Sequence, residues 1–577
     1  MRDRIERPLA FLALAAAVWA VYFIILSAPV FSYDDLFFVR DNPIYRLTFA
    51  DFWRQLASLR YLPFAQERTY QPLTTLLHFP IFLNPAAYRA AGICFHAANA
   101  CLVYELGRRL SLRSGPALAA ALLFALFPAN TEAVDISIFK GHLLAFFFAL
   151  LTLLCWIEAA RRSSKTAWLI LACASFIAGL LSKETGLLAL ALVGAYAVFF
   201  GRERLSWHGS RGAVLILLAA AYLWFRFRLL APGPPLPADQ LLPWSSTLPF
   251  SSFSWYLKTL LVPYPLCLMH SINAGSGMAD ALMSAGRSLL VALYFYLLWR
   301  LRSRPGRAFL LLWLLLALIP YLHLVPFAGY ALPSASYSYV SDRYLYSASA
   351  GFCLLLAGLL YETRARSLLA ALALCWGLIS LQRNGLYRDW GGLCRQSAAC
   401  APLNAAAHIM LGGYYYDHER DYPKALSCYR TGFALQPGIR TQFKDPGLVH
   451  SQGAGYVLGL IRYKMGDLPE AERMLSRAVE TEKDPAALAA SREKLGDVLL
   501  ASGREKEALA QYEAARRAMP GWFMPYAKVG AALVDRRPGE AEAWLRQAQG
   551  MIAGADEAER IVRARIDLML AKCRLAL

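Results

Sequence analysis

The chain has 577 residues, of which 58% are hydrophobic and only 17% are charged. Because ordinary soluble proteins contain about 45–50% apolar residues, this composition excludes a wholly soluble fold. The net charge of +19 does not indicate a nucleic-acid-binding protein, because the basic residues lie in short clusters between long apolar runs. The last third is charged and rich in alanine, so the sequence predicts two domains, at 1–390 and 391–577.

About eleven apolar segments in the first domain are candidates to cross a bilayer as helices, which takes about 20 residues each. They lie near 8–30, 87–107, 115–130, 141–158, 166–182, 185–201, 212–230, 285–301, 308–327, 344–361 and 367–383. With the N-terminus in the cytoplasm, the basic clusters fall on the cytoplasmic side, as the positive-inside rule requires. The odd number of spans places the second domain outside the cytoplasm. We therefore expect a multi-pass protein of a cell inner membrane with a periplasmic C-terminal domain.

One further apolar segment, 254–270, has two interpretations. It is short for a span, and Pro263 and Pro265 interrupt it. We interpret it as a re-entrant or interfacial segment. If it crosses the membrane instead, the topology of the chain after it reverses.

Repeats of about 34 residues begin near residue 404 and follow the skeleton of a tetratricopeptide unit. The clearest copy has Leu495-Gly496, Gly503, Ala508, Tyr512, Ala515 and Pro520 at the expected spacing. Weaker copies lie at 411–437, 458–478 and 529–548, and a linker rich in Gly, Gln and Lys at 437–452 separates the first two. Small residues allow the two helices of each unit to approach closely. The sequence therefore predicts an all-α fold, in which a membrane helical bundle precedes an α-solenoid of about four repeats.

Two adjacent carboxylates, Asp34 and Asp35, follow the first span directly. Charged groups at a membrane edge are costly, so a functional role is one explanation of the pair. One carboxylate can act as a general base while its neighbour orients it or holds a cation. The alternative is that both simply end the helix in solvent.

More polar residues lie at helix ends on the same predicted outer face. Lys140, Lys183 and Arg343, with Tyr344 beside the last, would suit a phosphate near the interface, which Arg can bind bidentately. The alternative for each cation is a side chain that extends to the interface. The other pocket candidates are Gln71, His96, Asn99, Glu132, Glu184 and Asp342. No pair of His residues has the spacing of metal ligands, so the sequence assigns no metal site. If the reaction uses a divalent cation, Asp35 or Glu132 is the candidate to hold it.

The eleven cysteines include no CxxC motif. Cys394 and Cys400 follow the last span, where an oxidising compartment would allow them to pair. A spacing of six residues on one helix is poor geometry for a disulfide, however.

An ordered set of short motifs resembles the transmembrane and tetratricopeptide-repeat O-mannosyltransferases and their bacterial relatives over nearly the whole chain. The motifs are Tyr33-Asp34-Asp35 with Asp41-Asn42-Pro43, Gln71-Pro72-Leu73-Thr74, Asn84-Pro85 with His96 and Asn99, Pro128 with Glu132 and Val134, Lys183-Glu184, and Asp342-Arg343-Tyr344-Leu345-Tyr346. The chain departs from the family's pattern at two places, and these departures leave its sugar and its metal dependence unassigned. The chain has Phe127-Pro128 where relatives often have His-Pro, and Phe139-Lys140-Gly141 where many have Arg-Lys-Asp.

The resemblance implies a membrane glycosyltransferase that uses a polyprenyl-phosphate sugar as donor. It implies that Asp34 is the base, with Asp35 as the second choice, and that Glu132, Lys183 and Arg343 line the donor pocket. A single displacement would invert the anomeric centre and move mannose or another hexose to Ser or Thr hydroxyls of an extracytoplasmic protein held by the repeats. Two alternatives remain open: a glycolipid or envelope-polysaccharide acceptor, and a non-enzymatic scaffold that recruits partners through its repeats.

Overall fold

A computed structural model describes residues 2–28, 48–57, 71–78, 84–136, 139–161, 166–201, 205–229, 247–268, 270–271, 278–322, 324, 339–552 and 557–576. The chain forms two compact units. The first unit runs to Cys400 and the second begins at Ala401. The helix Trp390–Cys400 therefore packs with the first unit.

The first unit is built from helices. They are α1 (Arg2–Tyr22), α2 (Phe49–Ala57), α3 (Pro72–His78), α4 (Pro85–Arg109), α5 (Ser114–Leu126), α6 (Thr131–Asp135), α7 (Lys140–Arg161), α8 (Thr166–Ser182), α9 (Leu188–Phe200), α10 (Leu205–Leu229), α11 (Thr247–Leu261), α12 (Met278–Arg300), α13 (Pro305–Leu318), α14 (Tyr346–Glu362), α15 (Arg366–Leu386) and α16 (Trp390–Cys400). A helix lies at each of the eleven predicted segments. The strands β1 (His270–Ser271) and β2 (Tyr339–Val340) pair antiparallel. The predicted all-α class is confirmed, since the only strands among the described residues form two short two-stranded sheets.

Three described helices are long and apolar enough to cross a membrane: Glu6–Ser27, Lys140–Arg161 and Asp342–Glu362. A fourth is obtained if Ser114–Leu126 and Pro128–Asp135, which meet at a bend of 49°, form one broken span. The predicted count of eleven is therefore not confirmed. Some of the other predicted spans, such as α8, are helices shorter than 18 residues, and α4 carries polar side chains that reduce its hydropathy.

The segment 254–270 does not form one helix. Helix α11 ends at Leu261, and the described residues 262–268 that follow it are not helical. Leu266, Cys267 and Leu268 are buried in this irregular part. Ser341 Oγ fixes it by donating a hydrogen bond of 3.0 Å to the carbonyl of Leu268.

Short turns at helix ends position the polar residues of the first unit. The chain enters α6 through the 3₁₀ turn Pro128–Asn130, α9 through Glu184–Leu187 and α14 through Asp342–Leu345. These irregular turns lie at the ends of buried helices, where backbone and side-chain polar groups need partners. They therefore bring charged side chains together without interrupting the apolar packing of the bundle.

The second unit consists of four helix pairs and a final helix. The pairs are α17 (Ala405–Tyr414) with α18 (Tyr422–Leu435), α19 (Ala454–Lys464) with α20 (Leu468–Thr481), α21 (Pro485–Ala501) with α22 (Glu505–Ala518), and α23 (Phe523–Leu533) with α24 (Pro538–Met551), followed by α25 (Glu557–Ala576). The first helix of each pair carries a glycine where the second helix touches it. A Cβ atom at Gly412, Gly459, Gly496 or Gly530 would lie 2.5–2.8 Å from a side chain of that helix. The predicted repeat architecture is confirmed.

The linker between the first two repeats is a β-hairpin. Strands β3 (Thr441–Asp445) and β4 (Leu448–Gln452) pair antiparallel around the turn at Pro446 and Gly447. The Trp522 indole donates a 2.9 Å hydrogen bond to the carbonyl of Pro446. Gln452 Nε2 donates one of 2.8 Å to the carbonyl of Ala487 in α21.

Candidate functional site

Glu132 and Arg343 form a buried ion pair between two turns 211 residues apart in sequence. The Glu132 side chain is fully buried, whereas that of Arg343 remains 12% exposed. The Arg343 guanidinium bonds to Oε1, and the Arg343 backbone N–H donates to Oε2 at 3.0 Å. Both carboxylate oxygens of Glu132 are therefore engaged, which joins α6 to the turn before α14.

Aromatic rings surround the same guanidinium. Cζ of Arg343 lies 4.2 Å from the ring centroid of Phe139 and 4.8 Å from that of Tyr344. The Tyr344 ring stacks on Tyr321 at 4.0 Å with an interplanar angle of 14°. Rings at these distances attract a guanidinium through cation–π contacts and hold it in one plane. Arg343 is thus fixed in orientation while part of its surface stays accessible.

A second buried ion pair lies beside the first. Asp342 Oδ2 is 3.1 Å from Arg383 Nη2, and both side chains are at most 5% exposed. Arg383 Nε also donates to Thr131 Oγ1 at 3.0 Å, and the other Asp342 oxygen lies 3.0 Å from His270 Nε2. Both oxygens of Asp342 are therefore occupied.

Lys140 begins α7 with a fully buried side chain. Its ammonium lies 4.1 Å from the ring centroid of Tyr88. Gly92 makes room for it, because a Cβ atom there would lie 3.1 Å from Lys140 Cε and 3.0 Å from the carbonyl of Val134. The contact places Lys140 beside the end of α6.

The predicted Gln71 and Lys183 segments converge on the start of α7. Thr74 Oγ1, one turn after Gln71, donates a 2.8 Å hydrogen bond to the carbonyl of Ser182, which precedes Lys183. A Cβ atom at Gly141 would lie 3.0 Å from Gln71 Oε1. Lys183 and Arg343 both act electrostatically on His142. The structure therefore brings together the cations predicted for phosphate binding.

Asp135 also belongs to this region and was not predicted as a site residue. It is 6% exposed, and within the described residues neither carboxylate oxygen accepts a hydrogen bond. Arg383, Arg89 and Lys140 supply the positive charge around it. We call Glu132, Asp135, Lys140, Asp342, Arg343 and Arg383 the charged cluster.

His96 and Asn99 contribute to helix packing. His96 lies 3.0 Å from the carbonyl of Ala125 through Nε2 and 2.8 Å from the Tyr346 hydroxyl through Nδ1. Asn99 Nδ2 donates to the same hydroxyl and to the carbonyl of Leu143, both at 3.0 Å. Since Nε2 must donate to the carbonyl, the hydroxyl donates to Nδ1 and His96 is a neutral imidazole. These bonds connect α4 to its neighbouring helices, as polar residues often do in membrane proteins.

Three predictions differ in outcome. Glu184 is partly exposed and lies 3.9 Å from Arg226, and its charge also acts on Tyr321, whose ring stacks on Tyr344. Glu132 already has both oxygens bonded, and no group of three or more potential His, Cys, Asp or Glu metal ligands occurs among the described residues. Asp34 and Asp35 lie outside the described residues.

Arg383, His270 and Asp135 are the functional candidates that the sequence prediction missed. Arg383 had a signal, since an ionisable residue inside a predicted span is a site candidate by itself. Asp135 had a weaker one, because it lies three residues after Glu132 on the same helical face. His270 had none, because it ends an irregular segment.

A bundle with membrane-crossing helices, a buried charged cluster at its helix ends and a repeat solenoid define a class of helical membrane protein with an appended repeat domain. Residues 81–226 match the family described as Dolichyl-phosphate-mannose-protein mannosyltransferase. The human Protein O-mannosyl-transferase TMTC4 is 26% identical over 445 residues, which are 64% of this chain and 58% of that protein. The Caenorhabditis elegans Protein O-mannosyl-transferase F38B6.6 is 24% identical over 440 residues, 69% of this chain and 59% of its own.

The resemblance predicted from the motifs is therefore confirmed: the chain is a distant relative of the transmembrane and tetratricopeptide-repeat O-mannosyltransferases. It spans about three fifths of the length of these relatives.

Two solved structures also align. The Archaeoglobus fulgidus oligosaccharyltransferase in its apo form covers 73% of this chain and 59% of its own, at 14% identity and a TM-score of 0.37. MamA covers 33% of this chain and 91% of its own, at 18% identity and a TM-score of 0.21. TM-scores this low do not establish a shared fold.

Proposed function

We propose that the protein transfers a hexose from a polyprenyl-phosphate donor to a hydroxyl acceptor outside the cytoplasm. The observation that carries the proposal is the convergence of Lys140, Lys183 and Arg343 on one region of the first unit. These cations come from three separated segments, and each lies at or next to a helix end. A site for a lipid-linked phosphate needs this charge at the membrane interface, where the donor headgroup lies.

Arg343 would contact the donor phosphate directly. Glu132 and the Tyr344 hydroxyl use some of its donors, and a guanidinium offers five N–H groups in all. Its side chain is 12% exposed, and this exposed edge would contact a phosphate oxygen as charge develops on the leaving group. Any divalent cation that the reaction needs would bind with the phosphate at Asp35, since both Glu132 oxygens are taken.

Asp34 would act as the general base. Ala28 is the last described residue before the segment that contains Asp34. Its carbonyl accepts a hydrogen bond from Arg89. Arg89 in turn acts electrostatically on Asp135 in the charged cluster. Asp34 follows six residues later, and six extended residues span about 20 Å. The first predicted outer loop therefore starts beside the cluster and is long enough to deliver Asp34 to it.

The reaction would be one displacement. The acceptor hydroxyl gives its proton to Asp34 while its oxygen attacks the anomeric carbon. The bond from that carbon to the phosphate oxygen breaks on the opposite face, and the electron pair leaves with the polyprenyl phosphate. The anomeric configuration inverts, and Arg343 and Lys183 stabilise the phosphate that departs.

We also propose that the helices at all eleven predicted segments cross an inner membrane, with the N-terminus in the cytoplasm. Several helices that are too short or too polar to be recognised as spans by length and composition still expose large apolar side chains. Such exposure is unfavourable on a surface that faces water. Ile170 on α8, Leu217 on α10, Leu289 on α12 and Leu374 on α15 are each at least 65% exposed. A lipid environment explains this pattern.

The acceptor would be Ser or Thr in a polypeptide held by the repeats. One observation favours the alternative of a glycolipid or polysaccharide. The hairpin β3–β4 contacts the first helices of the repeats, at Ala487 in α21 and at Phe523 in α23. A polypeptide that bound along this face would have to share it with the hairpin. Peptide and lipid acceptors are therefore compared directly.

The test is transfer by the purified full-length protein in detergent, with radiolabelled polyprenyl-phosphate mannose as donor. The acceptors are a set of Ser/Thr peptides in one arm and extracted envelope lipids in the other. We expect label in one acceptor, with an anomeric configuration opposite to that of the donor. Transfer from a nucleotide sugar but not from the lipid donor would refute the proposal, and retention of configuration would refute the single displacement.

A further inference from the structure

Two cysteines that are far apart in sequence lie together beside the charged cluster. Gln396 Nε2 on α16 donates a 2.8 Å hydrogen bond to the carbonyl of Leu266, the residue before Cys267. Gln396 and Cys400 are four residues apart on this helix, so their side chains project about 40° apart on one face. The two side chains are close enough for the Cys267 thiol to act on the Cys400 thiol as a hydrogen-bond partner.

Cys267 is fully buried and has a base within reach. Its Sγ lies 3.4 Å from Nδ1 of His270, and Nε2 of the same ring lies 3.0 Å from Asp342 Oδ1. Nε2 also lies 3.2 Å from the backbone N–H of Cys267, which can donate to it only in the other tautomer. In the tautomer whose Nε2–H donates to the carboxylate, Nδ1 carries the lone pair and can take the proton of Cys267 when that thiol reacts. Asp342 would also stabilise the imidazolium that forms if the proton transfers.

Cys400 is partly exposed, and its surroundings favour the thiolate. The hydrogen bond from Cys267 has the largest effect and, with the charges of His270 and Arg383, lowers the pKa of Cys400 to about 6. A thiolate is the species that attacks disulfides. Cys394 differs from Cys400 in its thiol and in its direction. Burial raises the pKa of its thiol. The separation of six residues between the two positions on the helix turns its side chain about 120° away from that of Cys400.

We propose that Cys267 and Cys400 are a redox-active pair that closes to a disulfide, with a small-molecule or protein disulfide as the oxidant. The Cys400 thiolate attacks one sulfur of the oxidant and releases the first thiolate. Cys267 gives its proton to His270, attacks Cys400 Sγ in the mixed disulfide and releases the second. Two protein thiols are oxidised to one disulfide, and the oxidant is reduced to two thiols.

The bond would join α16 to the segment that carries His270. Because His270 pairs with Asp342 and Arg343 follows directly, the redox state of the pair would reach the charged cluster through two contacts. The inference needs neither transferase activity nor the proposed topology. It replaces the pairing of Cys394 with Cys400 that the sequence left open.

The test uses the purified full-length protein in detergent, incubated with mixtures of reduced and oxidised glutathione from fully reducing to fully oxidising. Samples are quenched in acid, denatured in SDS and labelled with a maleimide, and the peptides are analysed by mass spectrometry. Of the eleven cysteines, we expect two to lose label together, and one cross-linked peptide pair to join Cys267 to Cys400.

The variants Cys267→Ser, Cys400→Ser and Cys394→Ser separate the alternatives. Cys394→Ser, the matched control, should form the bridge as the wild type does, while the other two should not. Cys267→Ser should instead accumulate glutathione on Cys400, because the attacking thiolate lacks its resolving partner. Labelling of all eleven cysteines under the most oxidising condition, or a bridge that contains Cys394, would overturn the proposal.

Discussion

Arg383→Met should destabilise the first unit strongly, because the Arg383 side chain is only 5% exposed and is paired with a buried carboxylate. The substitution leaves Asp342, which is fully buried, with His270 as its one remaining described partner. Removal of one partner from a buried ion pair costs about 3–5 kcal/mol, because the other charge stays buried without compensation. The lost hydrogen bond to Thr131 adds about 1 kcal/mol.

The magnitude can be measured as the free energy of unfolding in SDS-containing mixed micelles, followed by tryptophan fluorescence. Arg307→Met is the matched control, since Arg307 pairs with Glu362, whose side chain is 63% exposed, and such surface pairs contribute about 0–1 kcal/mol. The double variant Arg383→Met/Asp342→Asn should lose less than the sum of its single variants, because a neutral amide needs no counter-charge. Equal losses for Arg383→Met and Arg307→Met would refute the role of burial in this argument.

Three further outcomes are expected. Asp34→Asn should reduce the rate of hexose transfer by about 10²–10⁴-fold, because an amide cannot accept the hydroxyl proton; the assay is transfer from labelled polyprenyl-phosphate mannose. Arg343→Lys should reduce the same rate by about 10²–10³-fold, because an ammonium keeps the charge but loses the planar fork between two rings. Gly496→Ala should destabilise the second unit by about 1–3 kcal/mol, because the new methyl group would lie 2.5 Å from the Tyr512 ring; pulse proteolysis in urea measures this loss.

Each of these variants has a control in the same chain. Asp51→Asn alters an exposed carboxylate of the same predicted loop and should leave transfer unchanged. Arg302→Lys alters a cation that also lies over a ring, 4.8 Å from the centroid of Trp299, and should be neutral. Gly521→Ala adds a methyl group with no neighbour within 4 Å. If a control loses as much as its test variant, the corresponding contact does not have the assigned role.

Helix positions could be predicted from the sequence because long apolar runs admit few other structures in a membrane protein. The convergence of Lys140, Lys183 and Arg343 could also be predicted, since all three lie at or next to the ends of such runs on one predicted face. The pairing within the site could not. Nothing in the sequence indicates that Glu132 pairs with Arg343 and Asp342 with Arg383. Glu132 and Arg343 are 211 residues apart in sequence, so their pairing depends on tertiary packing.

The hairpin shows a different reason for failure. Its composition, rich in Gly, Gln and Lys, predicts a linker at 437–452. Pro446-Gly447 between two short runs is nevertheless a turn signal, and the runs become strands because tertiary contacts support them. Trp522 and Ala487 supply hydrogen bonds from repeats that follow in sequence. A two-stranded hairpin is marginal alone, so its presence depends on packing that local sequence does not reveal.

The carboxylates of the charged cluster differ in how fully their oxygens are paired. This difference separates the residues that hold the structure together from those that are available for chemistry. Asp342 has both oxygens bonded and no exposed surface, so its charge is fully used in holding Arg383 of α15 and His270 of β1. Glu132 is also saturated, but through Arg343, which keeps an exposed edge. Asp135 has surrounding cations and no hydrogen bond among the described residues. Loss of one partner from a buried ion pair is costly, so substitutions at Asp342 should act mainly on stability. Arg343→Lys keeps the charge that the buried Glu132 needs, and Asp135→Asn removes no hydrogen bond that the described residues show. These two variants should therefore act mainly on the rate of transfer.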